Sequence, residues 1–377
     1  MVNFKIQPNG LAQKKVNILH QKKFETPTLM LTYSFRDNNP KPWKYIPNCS
    51  IMTNAYDILQ NGRLQQKITN KGIHQELGLK NEICAMDSGG FQFISRGEGE
   101  IIDPLKVIEL QNNSKVDIAV CLDYPILSEF SDVKSKLFTE KSLENIRLSK
   151  EHIKKRIEIM PVLHGNTPKE INEFFIQVQE ISDFNIWGIG GLVPQMKQSS
   201  TSSHTRYFNI IDRVIDARLK LNEIDENKLL HIFGVGSPLA GLIFLLCGAD
   251  SIESISWIMN AKYFLVYQDK IGARKVSKQT TMCTSRVKWE EYNCTCPICS
   301  GLDLSIIESK MKLNGNKGFQ NRAMHNAYVY NQIAIEAKEA IEDNRLFELC
   351  VEKLGKHRFF KGILKYATKK IEELQIT

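Results

Sequence analysis

The sequence predicts a (β/α)8 TIM barrel with a zinc-binding insert and C-terminal helices, and three observations predict it. Eight short apolar runs recur between Thr28 and Ser256, each bounded by turn residues. Helical patterns with recognisable start signals lie between them. Polar and glycine residues stand at the C-terminal end of nearly every run, where a barrel gathers its functional groups on one face. A doubly wound open sheet is the alternative architecture.

Taken in order, the runs are TLMLTYS from Thr28, NCSIMTN from Asn48, EICAMD from Glu82, DIAVCLD from Asp117, EIMPVLH from Glu158, NIWGIGG from Asn185, LLHIFGV from Leu229 and ADSIES from Ala249. Runs of this length without strict alternation suit parallel strands buried on both faces. Thr167-Pro168-Lys169-Glu170 combines capping-box spacing with Pro at the first helical position, and Ser237-Pro238 starts LAGLIFLLCGA in the same way. The run ends carry Asn54, Asp87-Ser88-Gly89-Gly90, Asp123, His164-Gly165, Gly190-Gly191, Gly234-Val235-Gly236 and Glu253. Singly, each has a structural explanation: Gly pairs make turns, Asp caps helices and His164 could be a satisfied core histidine. Together they favour a common pocket. The expected division is an N-terminal extension over residues 1–27, the barrel core over 28–256, a basic segment with the zinc-binding insert over 257–328, and helices packing on the barrel over 329–377.

The 377 residues include 42% apolar residues and 22 Gly, enough for a sizeable core, and 24% charged residues, which argues against disorder. No apolar run reaches the roughly 18 residues of a bilayer span, so no membrane partner is expected. The N-terminus has no apolar stretch of the secretory kind, which makes a cytoplasmic location the expectation. Lys and Arg total 50 against 42 Asp and Glu, a net charge of +8. The excess is concentrated. Lys353, Lys356, Arg358, Lys361, Lys365, Lys369 and Lys370 follow one another without an acid, with Phe359, Phe360 and Tyr366 between them. Lys270, Arg274, Lys275, Lys278, Arg286 and Lys288 precede the clustered cysteines. Either stretch alone reads equally well as a solvated surface; the pair favours a polyanion such as nucleic acid.

Nine cysteines are present, and Cys294, Cys296 and Cys299 stand too close together for mutual disulfides. They read as three metal thiolates. His325, at the start of an expected helix, is the best fourth ligand, ahead of Cys283. A closed Cys3His shell leaves no position for water, so a Zn2+ held there is structural.

Asp87 in MDSGGFQ is followed by two glycines that let backbone approach a planar ligand and by Phe91, which can stack on it. Asp123 can accept two hydrogen bonds from the N–H edge of a guanine-like ring, and Gly190 and Gly191 can offer backbone N–H groups to its carbonyl. A third carboxylate, Asp250 or Glu253, arrives from the eighth run.

These residues resemble the tRNA-guanine transglycosylase family: MDSGGFQ, IMTNAY, CLDYP, GIGGL, FGVGSP, GADSIES and the CxCxxC-to-His spacing follow its motifs in order. The resemblance implies a barrel with structural zinc that exchanges guanine in a nucleic acid for a 7-deazaguanine. It assigns Asp87 as general acid/base, the position of Glu253 as nucleophile with Asp250 as the nearby substitute, and Asp123 with Gly190 and Gly191 as base recognition. Phe91 and Phe233 become the stacking pair, Ser88, His164 and Gly234 complete the base-binding set, and Asn54 stands beside it. Three departures matter: Glu253 replaces an Asp, His164 replaces a Gln, and SISWIMNAK replaces the PTRNARNG-like run of the bacterial tRNA enzymes. They point toward the DNA-modifying branch, which inserts derivatives such as preQ0, with the tRNA enzyme and a catalytically silent nucleic-acid-binding paralogue as alternatives. The partners expected are a nucleic acid, DNA ahead of tRNA, and a 7-deazaguanine base; a homodimer or a partner ATPase or helicase stays open.

Overall fold

In the computed structural model, which describes residues 7–19, 22–36, 38–46, 49–95, 103–127, 129–192, 203–278, 280, 283 and 285–376, all eight apolar runs contain strands. An N-terminal hairpin comes first, β1 (Lys15–Leu19) against β2 (Lys22–Thr26). The barrel strands follow: β3 (Thr28–Thr32), β4 (Ser50–Asn54), β5 (Cys84–Asp87), β6 (Ile118–Val120), β7 (Glu158–Met160), β8 (Val162–Leu163), β9 (Ile186–Ile189), β10 (Leu229–Ile232) and β11 (Ser251–Ser254). They are hydrogen-bonded in the order β7-β6-β5-β4-β3-β11-β10-β9-β8, every pair parallel. β7 and β8 are two pieces of one run, separated by Pro161, which has no N–H to give a ladder. Its carbonyl instead accepts the Gly188 N–H at 2.9 Å, so the broken strand bonds β6 with one half and β9 with the other and closes the barrel.

Period-2 geometry sends alternate side chains inward and outward, and here both faces are apolar. Met30, Met52, Ala85, Ile118, Val120, Met160, Val162, Ile186 and Leu229 fill the interior. Leu29, Leu31, Ile51, Met86, Leu230, Ile232 and Ile252 face the surrounding helices. That double burial is why the runs show no alternation in sequence. Leu19 and Phe24 of the hairpin join the interior cluster and cover the N-terminal end of the barrel. The hairpin is pinned by Lys15 to Asp250 at 3.2 Å and Lys22 to Asp117 at 2.9 Å.

The helix Pro168–Ile181 begins at its expected cap: Thr167 Oγ1 accepts from the Glu170 N–H at 3.2 Å, while the Glu170 carboxylate accepts at 2.7 Å from the N–H of Asn166, one residue before the cap, instead of from Thr167 as a capping box would have it. Helix Pro238–Leu246 starts where expected, without a side-chain cap from Ser237. After β11 come the helix Ser256–Lys262 and the hairpin β12 (Leu265–Gln268) and β13 (Gly272–Lys275). The expected boundary between residues 328 and 329 falls inside one continuous helix, Gly315–Glu342, so the insert and the C-terminal helices share an element. This helix presents buried small residues, Ala323, Ala327, Ala334, Ala337 and Ala340, to its neighbours, which allows close packing along its length.

The lysine-rich C-terminal stretch departs from expectation. Lys353 is buried and paired with Asp269 and Glu336, both at 2.7 Å. Phe360 is buried, and Tyr366 stacks on Phe208 of helix Ser203–Ile224 with centroids 4.0 Å apart. These aromatic rings fasten the last helix to the barrel's outer layer, so they are not stacking surfaces for bases. Among the described residues no helix is long and apolar enough to cross a membrane.

Candidate active site and metal centre

Asn54, Asp87, Phe91, Asp123, Gly190, Gly191, Phe233, Gly234 and Glu253, scattered over some two hundred positions, line one cavity of about 390 Å3 at the C-terminal ends of the strands. A larger cavity of about 620 Å3 lies by the N-terminal hairpin. Its cations are already matched, Lys23 and Lys338 to Glu25 and Lys22 to Asp117, and it carries no comparable set of converging acids.

Asp87 ends β5. Its Oδ2 accepts a 2.7 Å hydrogen bond from Asn54 Nδ2, while Asn54 Oδ1 accepts from the Tyr56 N–H at 2.8 Å and caps the following helix. Burial, reinforced by the nearby Asp123 and Glu253 charges, pushes the Asp87 carboxyl from 3.8 up to about 8. The two glycines after it act differently from the sequence expectation. Gly89 has φ +86°, and a Cβ there would lie 2.6 Å from the Tyr56 Cβ. A Cβ on Gly90 would lie 2.2 Å from the Asp123 carbonyl oxygen. Gly89 is therefore needed for the close approach of the β5 end to the β4 end, and Gly90 for its approach to the β6 end, a packing reason rather than ligand approach.

Glu253 is held at both oxygens, by the Thr32 hydroxyl and by the Gly234 N–H. Gly234 sits at φ +72°, which aims that N–H at the carboxylate. Burial raises the Glu253 carboxyl above its ordinary range, opposed by these two donors. Asp250 is excluded from the cavity. It lies one residue before β11, fully surrounded by Lys15 at 3.2 Å, Arg218 at 2.8 Å and the Leu230 N–H at 2.8 Å. It forms a buried ion cluster at the closed end, because the strand carries residues 250 and 253 to opposite ends and faces.

Asp123 Oδ1 accepts from the Ser88 hydroxyl at 3.3 Å, and Oδ2 lies 2.7 Å from His164 Nε2. Neither Ser88 nor His164 lines the cavity, so the base-contact roles expected for them are corrected to contacts with Asp123. Gly190 also changes role: its N–H already donates to the Leu163 carbonyl at 3.1 Å, which leaves Gly191 as the glycine for a ring carbonyl. Phe91 stands at the mouth, 43% exposed, and Phe233 packs deeper against Gly188. Thr32, Ser254, Ser256, Ile255 and Met259 also line the cavity, although no sequence motif assigns them a role. Thr32 obeys the same strand-end rule as the others, but a lone hydroxyl carries little signal.

The ligand atoms of Cys294, Cys296, Cys299 and His325 lie within 4.8 Å of one another. His325 Nδ1 is 3.3, 3.6 and 3.8 Å from the three sulfurs. Tetrahedral Zn–S and Zn–N bonds place nitrogen and sulfur about 3.6 Å apart, so the set matches that geometry. His325 Nε2 donates to the Tyr267 carbonyl at 2.7 Å, which turns the Nδ1 lone pair toward the thiolates. The histidine lies in the body of helix Gly315–Glu342 instead of at its start. Cys283 is engaged elsewhere, its thiol 3.4 Å from the Ser285 carbonyl. In the adjoining basic stretch Lys270 and Lys288 pair with Glu352 and Glu291, whereas Arg274, Lys275, Lys278 and Arg286 have no ion pair among the described residues.

Comparison with known proteins accords with this geometry. Over 360 residues the chain is 27% identical to a tRNA-guanine(15) transglycosylase of Methanocaldococcus jannaschii, covering 92% of this chain and 51% of that protein. The enzyme of the same name from Pyrococcus furiosus is 26% identical over 373 residues, covering 97% and 59% respectively. The chain thus spans about half the length of the relatives it matches. The pattern of one family, described as queuine tRNA-ribosyltransferase, matches residues 14–358, nearly the whole chain including the barrel, the strand-end acids and the Cys3His set, and the chain belongs to that family.

Proposed function

We propose that this chain is a base-exchanging transglycosylase that replaces guanine in a nucleic acid with a 7-deazaguanine derivative through a glycosyl ester on Glu253. The observation that carries the reading is the convergence of Asp87, Asp123 and Glu253 on one cavity with Phe91 and Phe233 in its walls. The target nucleotide swings out of its stack into the cavity. Asp123 accepts the two N–H groups of the guanine edge and the Gly191 N–H meets the ring carbonyl. The ionised Glu253 carboxylate attacks the anomeric carbon; its C–O bond forms as the bond to the base nitrogen breaks. Asp87, protonated at neutral pH because its carboxyl titrates near 8, gives its proton to the departing guanine. The incoming base then loses its proton to Asp87, attacks the same carbon and releases Glu253, so two displacements give retention, as in a retaining glycosidase. The extra methylene of Glu253 relative to Asp moves its carboxylate by about one C–C bond, about 1.5 Å, a shift of the size that affects rate strongly. The Thr32 and Gly234 contacts support the carboxylate in that longer reach.

As substrate we place tRNA ahead of DNA, which reverses the sequence preference. The relatives are named as tRNA enzymes. The departures that suggested DNA concern the nucleophile, His164 and the run after Glu253; that run is the helix Ser256–Lys262 at the cavity mouth, and none of these residues reports on the 2′-OH, by which a protein tells RNA from DNA. Arg274, Lys275, Lys278 and Arg286, which have no ion pair among the described residues, are the candidates for phosphate contact, and binding through them weakens as salt rises. Cys294, Cys296, Cys299 and His325 would hold a Zn2+ whose closed shell ties the loop after β13 to helix Gly315–Glu342.

The test is incubation of purified protein with labelled 7-cyano-7-deazaguanine and either tRNA or duplex DNA. Label is expected in tRNA. Label confined to DNA overturns the tRNA assignment, and label in neither, with nucleic-acid binding intact, leaves a silent binding paralogue.

A further inference from the structure

His164 replaces the Gln expected at the base-binding position, yet its side chain is only 1% exposed and stands behind the cavity wall. Its Nε2 lies 2.7 Å from Asp123 Oδ2, and its Nδ1 is buried without a hydrogen-bond partner among the described residues. This asymmetry decides the tautomer. A proton on Nδ1 would be a buried donor with no acceptor, and would leave the Nε2 lone pair facing a carboxylate oxygen. The Nε2–H tautomer satisfies the Asp123 contact and orphans only an acceptor. The other carboxylate oxygen receives the Ser88 hydroxyl at 3.3 Å, and Ser88 Oγ in turn accepts the Gly90 N–H at 3.4 Å. The ring is confined as well: a Cβ on Gly190 would lie 2.7 Å from its Cε1, and Phe174 meets it edge-on at 6.4 Å. Asp123 is thus gripped at both oxygens from behind, with its remaining lone pairs directed into the cavity.

We infer that His164 is a positioning residue that sets guanine selectivity without touching the base, by fixing the rotation of the Asp123 carboxylate so that both oxygens accept at once. This inference rests on the proposed exchange reading. Guanine offers a ring N–H and an exocyclic amino group side by side, whereas hypoxanthine offers only the ring N–H. A carboxylate held square to that edge gains two hydrogen bonds from guanine and one from hypoxanthine. A carboxylate free to rotate loses the second bond, and with it the discrimination, because the penalty for an unmatched buried polar group no longer applies.

The experiment measures equilibrium binding of free guanine and free hypoxanthine to the full chain by calorimetry, with His164→Phe and His164→Gln beside the wild type. His164→Phe is expected to weaken guanine by about tenfold or more while hypoxanthine changes little, so that the preference collapses. His164→Gln, whose amide retains a donor, is expected to recover part of the preference. Should the Phe variant not fold, His164→Asn, with a donor too short to reach Asp123, supplies the same contrast. Equal loss of both bases in a folded variant, or an unchanged ratio, overturns the inference. A folded wild type that binds neither base overturns the exchange reading itself, and this inference with it.

Discussion

Asp250 and Glu253 leave the same strand region three residues apart and meet opposite environments. Asp250 is enclosed by Lys15 and Arg218, both buried, at the closed end of the barrel. Removing its charge strands two buried cations, so Asp250→Asn is expected to cost about 3–5 kcal/mol of stability. Glu253→Gln keeps an oxygen for the Gly234 N–H and turns its NH2 to the Thr32 hydroxyl, which can accept, so it is expected to melt close to the wild type while forming no covalent nucleic-acid adduct. Thermal melts paired with adduct trapping check both; an Asp250→Asn protein of unchanged stability that fails to form adduct would reverse the assignment. Asp87 is the third acid to be tested. Its folded-state carboxyl titrates at about 8 against 3.8 ordinarily, so the neutral form favours folding. That contribution is complete below pH 4 and is lost as pH rises through 8. Asp87→Asn is therefore expected to gain melting temperature relative to the wild type progressively from pH 5 to pH 9, and a difference that does not vary with pH counts against it.

Among the elements, the strands were legible in sequence because apolar residues on both faces produce continuous runs that few other structures use. Their break at Pro161 follows from the missing N–H. The Asp87-Ser88-Gly89-Gly90 turn was legible as important but not for its reason: the close approaches to Tyr56 and Asp123 involve chain more than thirty residues away on either side. The Cys3His cluster was legible down to its fourth member, because cysteines this close have few other uses, although the helix carrying His325 begins ten residues earlier than expected. Cys296→Ser is expected to release the metal, read by elemental analysis. It should also lower the melting temperature by loosening β12, β13 and helix Gly315–Glu342, while far-UV circular dichroism retains the barrel. Structural zinc contributes about 10 kcal/mol or more in small domains that fold around it; here the barrel core carries part of that burden. A metal-free variant that melts with the wild type would remove the structural role.

For the molecule as a whole, the net charge of +8 suggested a polyanion, but its distribution changed meaning on folding. The longer lysine run is partly spent inside: Lys353 is buried between two acids, and the aromatic residues interleaved with the run pack on helix Ser203–Ile224. In the shorter run beside the Cys3His cluster, Lys270 and Lys288 are paired, and Arg274, Lys275, Lys278 and Arg286 have no ion pair among the described residues. The linear sequence determined the barrel, the rim on which its acids would meet and the Cys3His set, because these depend on local patterning and spacing that repeat along the chain. Tertiary structure alone decided that Asp250 holds the closed end together while Glu253 faces the cavity, that His164 grips Asp123 instead of a base, and that Gly190 has already used its N–H. Each of those outcomes turns on which side chain arrives from a strand or helix tens to hundreds of residues distant, and on whether it arrives within hydrogen-bonding reach. No local pattern encodes that proximity.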